Sequence, residues 1–447
     1  MKKLSLVSLA ILVSFCVYGK FTYDPSKGTI VDEVNGWEFK ATTIPKNPDE
    51  LNLDGTGCSY SGASPCSLNL TEITDADGKK YKAVSFKALP EAAKPYLTEF
   101  IAPDCQKIEG ENCFNSCTEL LKVELNGNVT YIGAYSFYKC SKLENFTPRT
   151  LAVENVQKYT FHSCSNLRGG FTLSSCKKIL DGGFNSAANL EWVEAPEATV
   201  IVDGAFSGCS KLASVSMPKV SQIQNQAFQN CTSLTTESLN GLLHKGVSIL
   251  GSNEIDNQQF LFLGCTAITG PIVWNLPSLT TNVVAKGMFR NCMSLKEVRF
   301  VTDVARIKDW AFRDIASGAS IYMPLTAPAV YGERAVSRSS GNYPKVYLKG
   351  NHDEWLDVMR QHHSVILKED FNNSDKWVLN ESNANKDKDK VRDAMIADGA
   401  MCVEAENKIR TVDRNVIAFV AYYGNNNETG FCWVLKIPEQ GFRVIVR

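Results

Sequence analysis

The sequence predicts a repeat solenoid, mostly β, built as a stack of short parallel strands joined by tight turns. A small β-rich domain follows it at the C-terminus. Three observations carry this. A signature of Phe, two residues, Cys, two residues and Leu recurs, first as Phe114, Cys117 and Leu120. The signature phenylalanines are Phe114, Phe137, Phe161, Phe184, Phe206, Phe228, Phe262, Phe289 and Phe312, spaced 23, 24, 23, 22, 22, 34, 27 and 23 residues apart. A period in the low twenties belongs to stacked coils. Third, short alternating apolar–polar runs follow the Leu, often ending in Pro, as at Val215 to Pro218. Period-2 alternation marks a half-buried strand, and Pro stops it.

Along the chain, Met1, Lys2 and Lys3 open a basic region, and an apolar run from Leu4 to Val17 ends at Gly19. Residues 1–19 read as a secretory signal peptide. The run is too short to span a bilayer, which takes ~20 apolar residues. No later segment is long and apolar enough to span one, so the mature chain is expected to be secreted or held at the cell surface. Residues 20–82 read as a β-rich lead-in or cap, with a hairpin around the Asn35-Gly36 step. Cys58 and Cys66 sit in a polar loop rich in Gly, Ser and Pro, and are the best disulfide candidates for an exported chain.

The solenoid is assigned to 83–325, in about nine to ten coils. Five residues before most signature phenylalanines stands an aliphatic residue: Ile132, Val156, Ile179, Ile201, Ile223, Val284 and Ile307. The residue just before Phe is usually small, as at Ser136, Gly183 and Ala205. One coil cannot bury its own apolar face, whereas coils stacked at ~4.8 Å can. Each Phe is then expected to lie on the next, and burying each stabilises by ~1.5–3 kcal/mol. The cysteine column is Cys117, Cys140, Cys164, Cys209, Cys231, Cys265 and Cys292, with Ala187 and Ile315 breaking it. A small, weakly hydrogen-bonding side chain suits an inward corner. Cys105, Cys113 and Cys176 also fall at packing positions. Neighbouring column cysteines point parallel rather than toward each other, which disfavours bridges. An insertion containing Leu239 to His244 separates Leu234 from Phe262, and insertions in solenoids emerge as loops on one face. Residues 326–359 read as a C-terminal cap and linker, since an open stack leaves an unpaired edge. Residues 360–447 read as a small β-rich domain, in which Cys402 and Cys432 are a further possible pair.

The pattern of Ile, four residues, Phe, two residues, Cys, two residues, Leu, ending in a strand and Pro, is fullest from Ile201 to Pro218. It resembles the BspA-type leucine-rich repeat family over roughly residues 85–325. The resemblance implies a right-handed solenoid on an exported, mostly bacterial, surface protein, and in some members adhesion to host proteins or other cells.

Chemistry is sparse. The formal net charge of −1 gives no bulk attraction to nucleic acid. None of His162, His244, His352, His362 and His363 falls in a zinc spacing. Asp75, Asp77 and Gly78 lack the later acidic positions of a calcium loop and read as a turn. No catalytic, metal-binding or cofactor-binding residue is assigned, and no cofactor is expected. The leading reading is a non-enzymatic binding or adhesion protein with an unknown protein or glycan ligand. Two alternatives are an enzyme with its active site in 360–447 and the repeats as a targeting arm, and a purely structural surface-layer component. The cysteine assignment is directly testable. Thiol titration in denaturant without reductant is expected to recover the repeat cysteines as free thiols; near-complete absence of thiol would overturn their packing role.

Overall fold

A computed structural model describes residues 20–243 except 33, 63 and 64, then 247–249, 260–274 and 283–323 except 302, 303 and 305. Beyond these it describes 330–331, 335–336 and 344–348, and the strand backbones at 364–367, 401–403, 409–411, 416–423 and 429–436. The signal peptide, most of the 326–359 cap, the histidines 244, 352, 362 and 363, and any pairing of Cys402 with Cys432 lie outside the described residues.

The lead-in folds as an antiparallel succession of Phe21–Asp24, Thr29–Asp32, Trp37–Ile44 and Asn47–Asp54. The hairpin at Asn35-Gly36 is the link between the second and third of these. Buried Asp32 holds the turn, its Oδ1 accepting from the backbone N–H groups of Val34 and Asn35 at 3.0 and 3.2 Å. Asn47–Asp54 then pairs in parallel with Lys80–Phe86. Ile73–Asp75 pairs with both Phe21–Asp24 and Lys80–Phe86, which closes the six strands on themselves. Closure leaves the six strands of this ring without an open edge. Asp75 anchors a turn, as expected: its Oδ1 accepts from the N–H groups of Asp77 at 3.0 Å and Lys79 at 2.9 Å.

No disulfide joins Cys58 and Cys66. The loop that the sequence placed around both is a strand at its second end. Cys66–Asn69 pairs in parallel with Leu97–Ala102 and turns Cys66 into the core, while the Cys58 thiol donates to the Asp54 carbonyl at 3.5 Å. Coil stacking therefore begins before residue 83.

Two parallel ladders run up the solenoid. The first holds the strands after the Leu positions: Cys66–Asn69, Leu97–Ala102, Lys122–Leu125 and Asn145–Thr147, then Thr150–Leu151, Gly169–Leu173, Leu190–Glu194 and Ser214–Ser216. The second is made of two-residue strands at the aliphatic column, for example Lys178–Ile179, Val200–Ile201 and Gln222–Ile223. Between the ladders the Phe column forms one continuous stack. It starts at Phe86, one ring earlier than the sequence signature, and ends at Phe312. Neighbouring centroids lie 5.2–5.7 Å apart with ring planes within 12° of parallel.

The insertion does not emerge as a simple loop. Its first part is helix α1 (Thr236–Leu242), with the Thr235 side chain accepting from Ser238 N–H at 3.2 Å as N-cap. Leu239, Leu242 and Leu243 are buried. The helix stands where a strand would, between Ser214–Ser216 and Ile272–Trp274, and its side chains replace the missing backbone partners. Ser238 Oγ accepts from Val215 N–H at 2.8 Å. Asn240 accepts from Val273 N–H at 3.3 Å and donates to Pro271 O at 3.1 Å. The apolar spacing of residues 239, 242 and 243 explains the difference: a helix can bury it and a loop cannot.

The first ladder resumes with Ile272–Trp274, Glu297–Phe300, Ser320–Met323 and Lys345–Leu348. Thr429–Lys436 then pairs in parallel with Lys345–Leu348, followed by Val416–Tyr423 and Ser364–Leu367 in antiparallel sense. The sheet thus runs across the boundary at 360.

Truncating a central ring, Phe206→Ala, is expected to destabilise by ~3–5 kcal/mol in urea unfolding; a change below about 1 kcal/mol would contradict the stack's role. A second expectation concerns pH. Burial raises the thiol pKa of Cys105, Cys117 and Cys292 from 9.0 to about 12. The unfolded chain releases these protons from about pH 9, the folded chain only near pH 12, so the folded state holds more protons in between. Stability then falls as pH rises through that window, by about 1.4 kcal/mol per pH unit per thiol. A urea midpoint that stays flat between about pH 8.5 and 10.5 would rule this out.

Candidate binding face at the turn corner

The corner that carries each Phe is held by backbone bonds between coils. Tyr135, Phe137 and Lys139 donate their N–H groups to the carbonyls of Lys158, Thr160 and His162 at 2.8–2.9 Å. The same alternation recurs up the stack and spans the insertion, where Phe228 and Asn230 donate to Leu261 and Leu263 at 2.9 and 2.7 Å. This geometry needs left-handed backbone two residues before and two residues after every signature Phe, at Tyr135 and Lys139, Tyr159 and Ser163, Gly204 and Gly208, and so on to Trp310 and Asp314. Glycine fills only some of these positions, so most coils accept a local conformational cost of ~1–2 kcal/mol per such residue. The regular inter-coil bonds and the buried Phe offset it.

Behind the corner lie the sequence-predicted residues. All nine signature phenylalanines and all seven column cysteines are buried. The cysteines do more than fill space. Cys140 donates its thiol to the Phe114 carbonyl of the preceding coil at 3.1 Å, and Cys164, Cys209, Cys231, Cys265 and Cys292 repeat the bond at 3.0–3.1 Å. Each receiving carbonyl also accepts the N–H of its own coil three residues on, as Phe137 does from Cys140 at 3.1 Å. The hydroxyls after the cysteines join in: Ser210 donates to Ala188 O at 3.2 Å and Thr232 to Ser210 O at 3.0 Å, linking coils rather than closing their own turn. Burial keeps these thiols protonated. They are structural donors, not nucleophiles.

Outward from the corner the residues stop repeating. The positions two before and one after Phe carry half-exposed side chains. In two adjacent coils these are aromatic. Tyr135 lies 5.2 Å from Tyr159, Tyr138 lies 4.9 Å from His162 in a stacked arrangement, and Tyr159 meets His162 edge-on at 5.2 Å. Lys139 and Lys158 sit over Tyr138 and Tyr159, 5.1 and 5.4 Å from the ring centres. Burial, the largest influence, lowers the His162 pKa below its ordinary 6.5, so the ring is neutral at pH 7. Ser163 Oγ lies 2.9 Å from its Nδ1. Near the other end, Phe260 and Trp310 face each other at 6.5 Å, with Lys286 and Arg290 5.0 and 5.3 Å from the Trp310 ring. Phe260 leans over Gly287, as Tyr159 leans over Gly182, and a Cβ at either glycine would overlap the ring.

Of these residues the sequence pointed only to His162, among the histidines that fall in no zinc spacing. The tyrosines were missed because they sit in columns that do not repeat. The available signal was the aromatic identity of positions held by Gly, Gln or Asn in other coils. Among the described residues no group of three or more His, Cys, Asp or Glu is placed to hold a metal ion.

The corner makes a sharp prediction. Gly204→Ala is expected to cost about 1 kcal/mol because it forces a Cβ into the left-handed region, while Gln226→Gly at the equivalent position of the next coil is expected to be neutral or stabilising. Equal losses for both would show that backbone handedness does not limit this corner.

Comparison with known proteins places these coils. The family model described as BspA type leucine rich repeat region, in 6 copies, matches residues 92–199 and 177–324. Among solved structures, the leucine rich repeat protein of T. pallidum is 22% identical, with 46% of this chain and 94% of that chain covered and a TM-score of 0.36. A leucine rich cell surface protein from Faecalibacterium prausnitzii is 16% identical over 73% of this chain and 96% of its own, with a TM-score of 0.35. A leucine-rich repeat protein from Bacteroides ovatus is 16% identical over 69% and 92%, with a TM-score of 0.39. No curated protein matches this chain.

Proposed function

The chain belongs to the BspA-type leucine rich repeat family, and from that premise we propose that it is an exported, non-enzymatic protein that binds a protein or glycan ligand at a cell surface through its corner face. The observation that carries this reading is the Tyr135, Tyr138, Tyr159 and His162 cluster. Its rings are half-exposed yet fixed on a backbone whose corner N–H groups are bonded to the next coil. Aromatic side chains already held in place lose little freedom on binding, which is the property of an anchor residue.

The pattern of residues 1–19 supports export. Among the described residues no helix is long and apolar enough to cross a membrane. The signature column serves packing. Its cysteines are covered and protonated.

The test is saturable binding of the labelled full-length chain to bacterial and host-cell surface fractions, alongside Tyr138→Ala/Tyr159→Ala. Wild type is expected to bind, and the double variant to lose at least about tenfold in affinity with an unchanged melting curve. Equal binding by both would move the ligand off this face, and no binding by either would reject the proposal.

A further inference from the structure

The two aromatic groups on the corner face are joined by a run of coils with a different character. From the Tyr159 coil to the Phe260 coil is four steps of the stack, ~19 Å at ~4.8 Å per step. The outward positions between them hold Gly182, Asn185, Gly204, Ser207, Gln226 and Gln229. Gly204 leaves the floor low, while Gly182 lies under the Tyr159 ring. The side chains of Ser207, Gln226 and Gln229 are half-exposed and make no hydrogen bond among the described residues. Asn185 is engaged by Ser186 Oγ at 2.8 Å. None of these six positions is charged. These six positions form a run of amides and a hydroxyl with an aromatic platform at each end, and Asp181 and Asp203 stand beside the two glycines.

Several ligand classes fail against this surface. A peptide that adds a strand needs open backbone groups, and the corner N–H groups at and flanking each Phe are bonded to the next coil. A peptide helix needs a continuous apolar groove, which the amide run interrupts. An anionic chain would meet Lys139, Lys158, Lys286 and Arg290 only at the ends. In the middle it would pass Asp181 and Asp203, one residue before Gly182 and Gly204, with Asp203 Oδ1 accepting from Asn225 N–H at 2.9 Å. What fits is an extended, uncharged chain that offers apolar C–H faces to rings and hydroxyls to amides. Polarised C–H groups meet the negative face of an aromatic ring favourably, and an amide can both donate to and accept from a hydroxyl. A sugar polymer has both features in every unit.

Resting on the reading that the corner face is a binding surface, we propose that it holds a neutral polysaccharide chain laid along the solenoid axis, from the Tyr138–Tyr159 platform across the Gly204 trough to the Phe260–Trp310 pair. Binding grows with chain length until both platforms are reached, because each coil adds contacts at the same spacing.

Affinity electrophoresis of the full-length chain tests this. The neutral probes are mannan, xyloglucan and mixed-linkage β-glucan, and the anionic probes are hyaluronan and polygalacturonate. At least one neutral polymer is expected to retard the wild type, with its disaccharide failing to compete and its longer oligosaccharides competing. Ser207→Trp, which raises the trough floor while leaving both platforms, is expected to weaken retardation at least tenfold, and so is Tyr138→Ala/Tyr159→Ala. Gln229→Trp serves in place of Ser207→Trp if the latter lowers the melting temperature. Retardation by none of the neutral polymers, retardation only by the anionic ones, or indifference to the trough variant would each overturn the proposal. If no neutral polymer binds while the double tyrosine variant still loses binding to surface fractions, the binding face stands and the ligand is not a polysaccharide.

Discussion

Everything in this chain depends on coils meeting at a fixed spacing. The unbroken Phe stack from Phe86 to Phe312 shows how strictly that spacing is kept. Dispersion and burial hold the rings, but they act only if each corner presents its ring at the same height and angle. The backbone bonds between successive corners set that height. The left-handed residues on both sides of each Phe are the conformational cost of aiming N–H groups along the stack rather than around the coil. The cysteine then finishes the corner, because its thiol reaches the carbonyl that the preceding coil leaves with one acceptor site open.

The same spacing governs the irregular parts. Helix α1 enters where the strand ladder would otherwise be continuous, yet Phe228 and Phe262 on either side still stack at 5.5 Å. Where the ladder is interrupted, Ser238 and Asn240 bond the strand edges directly. The N-terminal end is closed by a strand ring, and Lys80–Phe86 belongs both to that ring and to the short-strand ladder through Phe86 and Ile108. Both are answers to one problem: an exposed parallel edge invites pairing with another chain.

A stack this constrained separates two kinds of residue. Inward positions are held by packing density and tolerate little change. Outward corner positions are free to vary as long as the backbone handedness is met, which is why tyrosine, glycine, glutamine and tryptophan all occur two residues before a signature Phe. Variation there changes the surface and leaves the scaffold alone. The aromatic platforms and the amide trough are such variation, carried on a rigid ruler.

How much was legible in the sequence follows from that separation. The Phe, Cys, Leu and aliphatic columns repeat in phase, so the period, the coil and the inward face could be read directly from residues such as Phe206, Cys209 and Leu212. The coil that opens with Cys66–Asn69 escaped because it precedes the first full signature, and with it went the expectation of a Cys58–Cys66 bridge. Helix α1 escaped because one insertion has no second copy to align with. The thiol-to-carbonyl bonds and the paired left-handed residues have no sequence signature beyond a preference, since Lys139 and Tyr159 occupy sites where glycine would be expected. The sequence by itself determined the coil and what it buries, because burial repeats with the period. Only the tertiary structure decided which non-repeating side chains stand together, because residues some twenty positions apart become neighbours only when coils stack.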